Sequence, residues 1–199
     1  FNRAAEGTSS GNITHVSVGA TTQNVAVSGT AALPPGQTLP INEGSNWKYL
    51  DTGTNQGTAW REITFDDSSW ASGPAELGYG DGDEATVVDC SAVANCNTNN
   101  YITTYFRHAF NAPDRSIYSG LNLRLLRDDG AVVYLNGTEV WRTNMPTGTV
   151  TYTTLASAAI GGTDETTFVS PASTLANTLL DGTNVLAVEI HQSAVTSTD

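Results

Sequence analysis

The chain is poor in positive charge. Its 199 residues hold 8 Lys and Arg against 20 Asp and Glu, a formal net charge of −12, and Lys48 is the only lysine. A phosphate backbone needs a basic surface, so nucleic acid is excluded as a natural partner. Charged residues of both signs make up only 14%, which leaves too little Glu and Lys to cover long surface helices. No run of about 18 apolar residues occurs, so no helical membrane span is expected. Cysteine is nearly absent. Cys90 and Cys96 stand in "DCSAVANC" with no further Cys or His close by, so a zinc site is not expected. A local disulfide is expected, and with it an oxidising compartment; two unrelated thiols are the alternative. The first residue is Phe1 and no signal peptide precedes it, which reads as a processed mature start of a secreted or cell-surface protein.

What is abundant is Gly, Thr, Ser, Asn and Ala, with 39% hydrophobic residues. That composition suits an all-β extracellular protein. Residues 1–40 have no aromatic after Phe1. Within them "ITHVSVGA" and "QNVAVSGT" alternate apolar with small polar residues and read as strands. "LPPGQTLP" then breaks regular structure, since two prolines fix φ and remove donors. This segment is an N-terminal β-arm with a Pro-rich linker, lacking the large side chains for a core of its own. From Ile41 onward the tryptophans begin and strand-like runs follow: "YITTYFRHAF", "LNLRLLRD", "AVVYLNG", "TEVWRT", "TVTYTT" and "NVLAVEIHQ". Only "SPASTLANTLLDG" has a helical spacing, with Leu175, Leu179 and Leu180 on one face. Many short strands separated by Gly, Asn and Asp turns predict a sandwich or jelly roll over residues 41–199.

Four stretches together are distinctive: "FDDSSWASGPAELGYGDGDEATVV" (Phe65–Val88), "YFRHAF" (Tyr105–Phe110), "LRLLRDDGAVVYLNGTEVWRTNMP" (Leu123–Pro146) and "NVLAVEIHQ". They resemble the galactose-binding-like jelly-roll domains appended to secreted bacterial enzymes. The resemblance implies a β-sandwich and an accessory role. In that family one more strand follows the equivalent of "HQSAVTSTD", and here it is missing. A six-residue strand would bury about three apolar side chains at roughly 1.5–3 kcal/mol each, so something is expected to take its place. The arm is the natural candidate, with Val16, Val18, Val25 and Val27 as plugs. It can close on its own chain, or enter the next copy by strand addition and build a filament. A chain that continues past Asp199 is the other reading.

Chemistry-bearing positions are few. Asp128, Asp129 and Asn136 can grip Ca²⁺, and the resemblance to lectin-like jelly rolls supports this; turn capping is the alternative. Asp81, Asp83 and Glu84 in "GYGDGDE" are a second candidate calcium loop, or else a solvated acidic one. Trp47, Trp60, Tyr79 and Trp141, with Trp70 and Tyr118, are candidate platforms for polysaccharide. Asn12 and Asn136 begin Asn-X-Thr triplets that a glycosylating host can modify. His108, His191 and Glu189 lie within strands without a nucleophile elbow or zinc motif, so no enzyme is expected. Two functions therefore stand: a non-catalytic structural subunit assembling with copies of itself by strand complementation, or a carbohydrate-binding module.

Overall fold

The computed structural model describes residues 41–80, 82–92, 99–173 and 175–197, and the backbone of 7–15 and 23–31. The chain divides into two units, Phe1–Leu39 and Pro40–Asp199.

In the first unit β1 (Gly7–His15) pairs antiparallel with β2 (Gln23–Ala31). Val25 stands opposite Ile13 and Val27 opposite Gly11. Val16 and Val18 lie outside the described residues. β1 begins at Gly7, six residues before Ile13, and holds only Ile13–His15 of "ITHVSVGA", whereas "QNVAVSGT" lies within β2.

In the second unit the strands are β3 (Asn46–Leu50), β4 (Ala71–Pro74), β5 (Leu77–Gly78), β6 (Thr86–Val87), β7 (Thr103–Ala112), β8 (Gly130–Leu135), β9 (Thr138–Thr143) and β10 (Gly182–His191). Six of them form one antiparallel sheet in the order β4-β3-β7-β10-β8-β9. β8, "GAVVYL", is buried at every position. Such a continuous apolar run belongs to a strand covered on both faces. A two-residue hairpin leads out of it, where Asn136 (φ 52°) and Gly137 (φ 86°) are both left-handed, as a type I′ turn requires. Edge strand β9 carries Glu139 and Arg142, paired at 2.6 and 2.7 Å, and outward charge of this kind discourages further pairing.

The alternation of β8 and β10 builds two cores. On one face Tyr105, Val132, Tyr134, Val185 and Ala187 pack with Trp60 and Trp70. Those tryptophans come from an irregular coat, residues 52–70, that includes a 3-10 turn at Ala59–Arg61. Arg107 of β7 fastens the coat: its Nε donates to Asp67 Oδ2 at 2.7 Å, and its Nη1 donates to the carbonyls of Glu62 (3.1 Å) and Trp60. On the opposite face Phe106, Ala131, Val133 and Val188 meet the second layer of the sandwich, which brings Leu77, Val88, Leu123 and Leu125. That layer is held by the parallel pair β5–β6 and by isolated bridges Leu121↔Leu175 and Leu125↔Val169. The all-β jelly-roll sandwich expected from the turn-punctuated strands is therefore the architecture.

Two expectations are corrected. The described residues among 170–182 are not helical. Leu179 is fully buried whereas Leu180 is 44% exposed, and Leu175 exchanges backbone hydrogen bonds with Leu121. Pro171 and the local bond from Leu179 N–H to Asn177 Oδ1 (3.2 Å) favour extended and turn backbone over helix. "TVTYTT" is a turn rather than a strand, because Thr151 and Thr154 bond each other locally. β10 is flanked by β7 and β8 on its two sides.

Candidate functional site

The coated face holds a cluster of buried polar side chains. Tyr134 donates to Glu189 Oε1 at 2.6 Å, and Arg61 Nη2 lies 3.4 Å from the same oxygen. The Arg61 guanidinium stacks 4.0 Å from the centre of the Tyr134 ring. His191 Nδ1 is 2.7 Å from the Thr154 carbonyl and 3.0 Å from Thr103 Oγ1. A carbonyl only accepts, so Nδ1 is a donor. His191 Nε2 faces Glu189 Oε2 at 3.6 Å. Burial, and next the bond to Glu189, hold the Tyr134 phenol far above its ordinary range. Burial likewise pushes Tyr105 up to about 12. Glu189 and His191 are 2% and 0% exposed. The cluster fastens the coat and the 151–154 turn to the sheet, which agrees with reading these strand residues as structural.

An accessible site is built on the opposite side, in the second layer. Residues 121–125, "LNLRL", alternate half-buried leucines with exposed Asn122 and Arg124. Among the described residues they pair with 169–175 through reciprocal backbone bonds at two points, Leu121 with Leu175 and Leu125 with Val169. The two points are four residues apart on one strand (125 − 121) and six on the other (175 − 169). Two surplus residues must therefore bow away, and Pro171, lacking an N–H, cannot rejoin the ladder. The result is a groove of about 450 Å³ lined by Asn122, Leu123, Arg124, Ser170, Pro171, Ala172 and Ser173. Phe168, two residues before the lining Ser170, is 39% exposed. The Arg124 guanidinium lies 4.5 Å from the centre of the Phe168 ring and is also paired with the Glu43 carboxylate. Hydroxyls, an amide and a guanidinium thus share one shallow concavity, and that guanidinium contacts an exposed ring and a carboxylate outside it.

The sequence-predicted positions fall elsewhere. Trp60 is fully buried between the coat and the sheet, stacked with Trp70 and edge-on to Tyr105 and Tyr134. It offers no face to a sugar, and Trp70, 6% exposed, offers little. Trp47, Tyr79 and Trp141 are half-buried against the second-face core, and Tyr118 against Leu179. Asp129 is fully buried; its carboxylate accepts from the backbone N–H groups of Ile160 and Ser193, both at 2.6 Å. Asn136 lies at the other end of β8, where it bonds Asn184 and the Val185 N–H. Asp128, Asp129 and Asn136 therefore do not converge. Glu84 accepts from Gly82 N–H at 3.0 Å and Asp83 is exposed, while Asp81 lies outside the described residues. Among the described residues no group of three or more His, Cys, Asp or Glu is placed to hold a metal ion, and no helix is long and apolar enough to cross a membrane. Cys90 is buried and Cys96 lies outside the described residues. Phe168 was missed because a lone Phe in "TTFVS" carries less signal than a tryptophan. The unequal spacing that opens the groove appears only once strand partners are known.

No protein-family model matches the chain, and no curated protein matches it. Among solved structures, a β-glycosidase from Bacteroides vulgatus is similar at 15% identity and a TM-score of 0.48, over 78% of this chain and 17% of that one. A β-glucuronidase from glycoside hydrolase family 2 is similar at 19% identity and 0.47, over 76% and 14%. A Ruminococcus gnavus β-glucuronidase in complex with D-glucuronic acid is similar at 15% and 0.47, over 80% and 23%. The chain thus spans less than a quarter of the length of each, and a likeness of this size says nothing about activity.

Proposed function

We propose that the chain is a non-catalytic carbohydrate-binding module of a secreted protein, a galactose-binding-like accessory sandwich. Sugar is held in the groove between residues 122–124 and 170–173, against Phe168. The observation that carries this reading is Phe168 itself: a phenyl ring left 39% exposed and stacked with Arg124, which lines a groove that also carries hydroxyl and amide groups. Ligand sites combine apolar surface with a few placed polar groups in this way, and a pyranose presents matching faces of C–H and O–H. The net charge of −12 disfavours nucleic acid at any site. The test is affinity electrophoresis of the purified chain through gels containing neutral or acidic polysaccharides. One polymer is expected to retard the wild type, and Phe168→Ala is expected to lose that retardation while its circular dichroism spectrum stays that of the folded chain. Retardation by no polymer, or equal retardation of Phe168→Ala, contradicts the proposal.

A further inference from the structure

We infer that the groove selects neutral glycans over uronate-bearing ones, and that Glu43 determines this selectivity; the inference rests on the groove being the sugar site. Among the described residues that line the groove, Arg124 is the charged one. A free guanidinium there would be a ready clamp for a carboxylate, which it binds through two parallel hydrogen bonds. Arg124 is not free in that sense. Its Nη2 is paired with Glu43 Oε1, and its planar face is committed to the Phe168 ring at 4.5 Å. The pair has no net charge, so a uronate must displace the Glu43 carboxylate or sit beside it. The surrounding chain adds to this, since its net charge is −12. At physiological salt, screening over about 8 Å mutes the distant charges and leaves the adjacent Glu43 carboxylate as the main source of repulsion. A neutral sugar meets no such penalty. Its hydroxyls donate to the Glu43 carboxylate and accept from Arg124, while its C–H face packs on Phe168. Glu43 thus supplies an acceptor for hydroxyls and an obstacle to carboxylates from one position.

Glu43 and Arg124 are both well exposed, 65% and 60% at the side chain, so substitutions there leave the fold intact. The experiment compares wild type, Glu43→Gln and Glu43→Gln/Arg124→Gln by affinity electrophoresis and by titration with oligosaccharides, in about 50 mM salt. The probes are a panel of neutral polysaccharides and polygalacturonate. The wild type is expected to bind a neutral polymer and to pass freely through polygalacturonate. Glu43→Gln is expected to gain roughly tenfold or more in polygalacturonate binding, the worth of one charge-assisted pair. The double variant should lose that gain. A wild type that prefers polygalacturonate overturns the selectivity while leaving the groove reading standing if Phe168→Ala abolishes binding. Neutral binding with no gain in Glu43→Gln overturns the role of Glu43. Binding to neither class overturns the sugar-site reading and this inference with it.

Discussion

Replacing Tyr134 by Phe removes one oxygen and tests how the coat is fastened. The Tyr134 hydroxyl makes the shortest side-chain contact of the Glu189 carboxylate, 2.6 Å, against 3.4 Å to Arg61 and 3.6 Å to His191. Both residues are almost fully buried, 3% and 2% exposed, so water does not replace the lost donor. The ring stays, and with it the edge contact to Trp60 (5.8 Å) and the stacked Arg61. Hydrogen bonds to charged groups contribute about 1.5–3 kcal/mol, and a stranded buried partner adds to the loss. Tyr134→Phe is therefore expected to cost about 2–3 kcal/mol. At about 2–4 °C per kcal/mol for a domain of this size, that is a fall of roughly 5–10 °C in melting temperature. The assay is urea unfolding at constant m-value, repeated in a Glu189→Gln background. There the hydroxyl faces a neutral amide and its removal should cost about 1 kcal/mol. A loss below about 0.5 kcal/mol in the wild-type background, or an equal loss in both, refutes the claim that this network ties the coat to the sheet.

Two further predictions concern packing and pH. Leu179→Ala is expected to destabilise by about 3 kcal/mol, as full burial implies, whereas Leu180→Ala should cost less than about 0.5 kcal/mol; similar costs in chemical denaturation would contradict the extended backbone there. The phenols of Tyr105 and Tyr134 are held above the ordinary value of 10.0, by burial first and then by their Glu189 neighbour. The folded state thus keeps protons that the unfolded state releases, and stability is intact below about pH 10 and falls as pH rises toward about 12. Melting temperatures between pH 8 and 11.5 check this, and a flat or rising profile above pH 10 contradicts it.

Much of the sheet was legible in the sequence because its central strands are strongly patterned. "GAVVYL" and "NVLAVEIH" could be read as buried strands from their apolar runs, and Asn136–Gly137 demands a tight turn. The second layer was less legible. "LNLRL" alternates correctly, yet it is held by two isolated bridges rather than a ladder, because its partner carries two surplus residues and a proline. "SPASTLANTLLDG" imitates a helix in spacing, but Asn177 and Pro171 settle the backbone through local bonds that hydrophobic periodicity ignores. Among the aromatic candidates, Trp60 is buried for a related reason. Trp60 is drawn inward because the irregular coat has to bring its own hydrophobic mass to cover the sheet. The exposed ring is a modest Phe whose neighbour Arg124 lies 44 residues earlier (168 − 124). Of the two sequence-adjacent aspartates, Asp129 is committed within the fold, its carboxylate accepting from two backbone N–H groups.

The most direct test of the sugar groove is a map of amide chemical shifts in the ¹⁵N-labelled chain as a neutral oligosaccharide that it binds is titrated in. The perturbed amides are expected to cluster at residues 122–124 and 168–173 and at Glu43. Shifts centred instead on Trp47, Tyr79 and Trp141, with residues 122–124 and 168–173 unmoved, would contradict it.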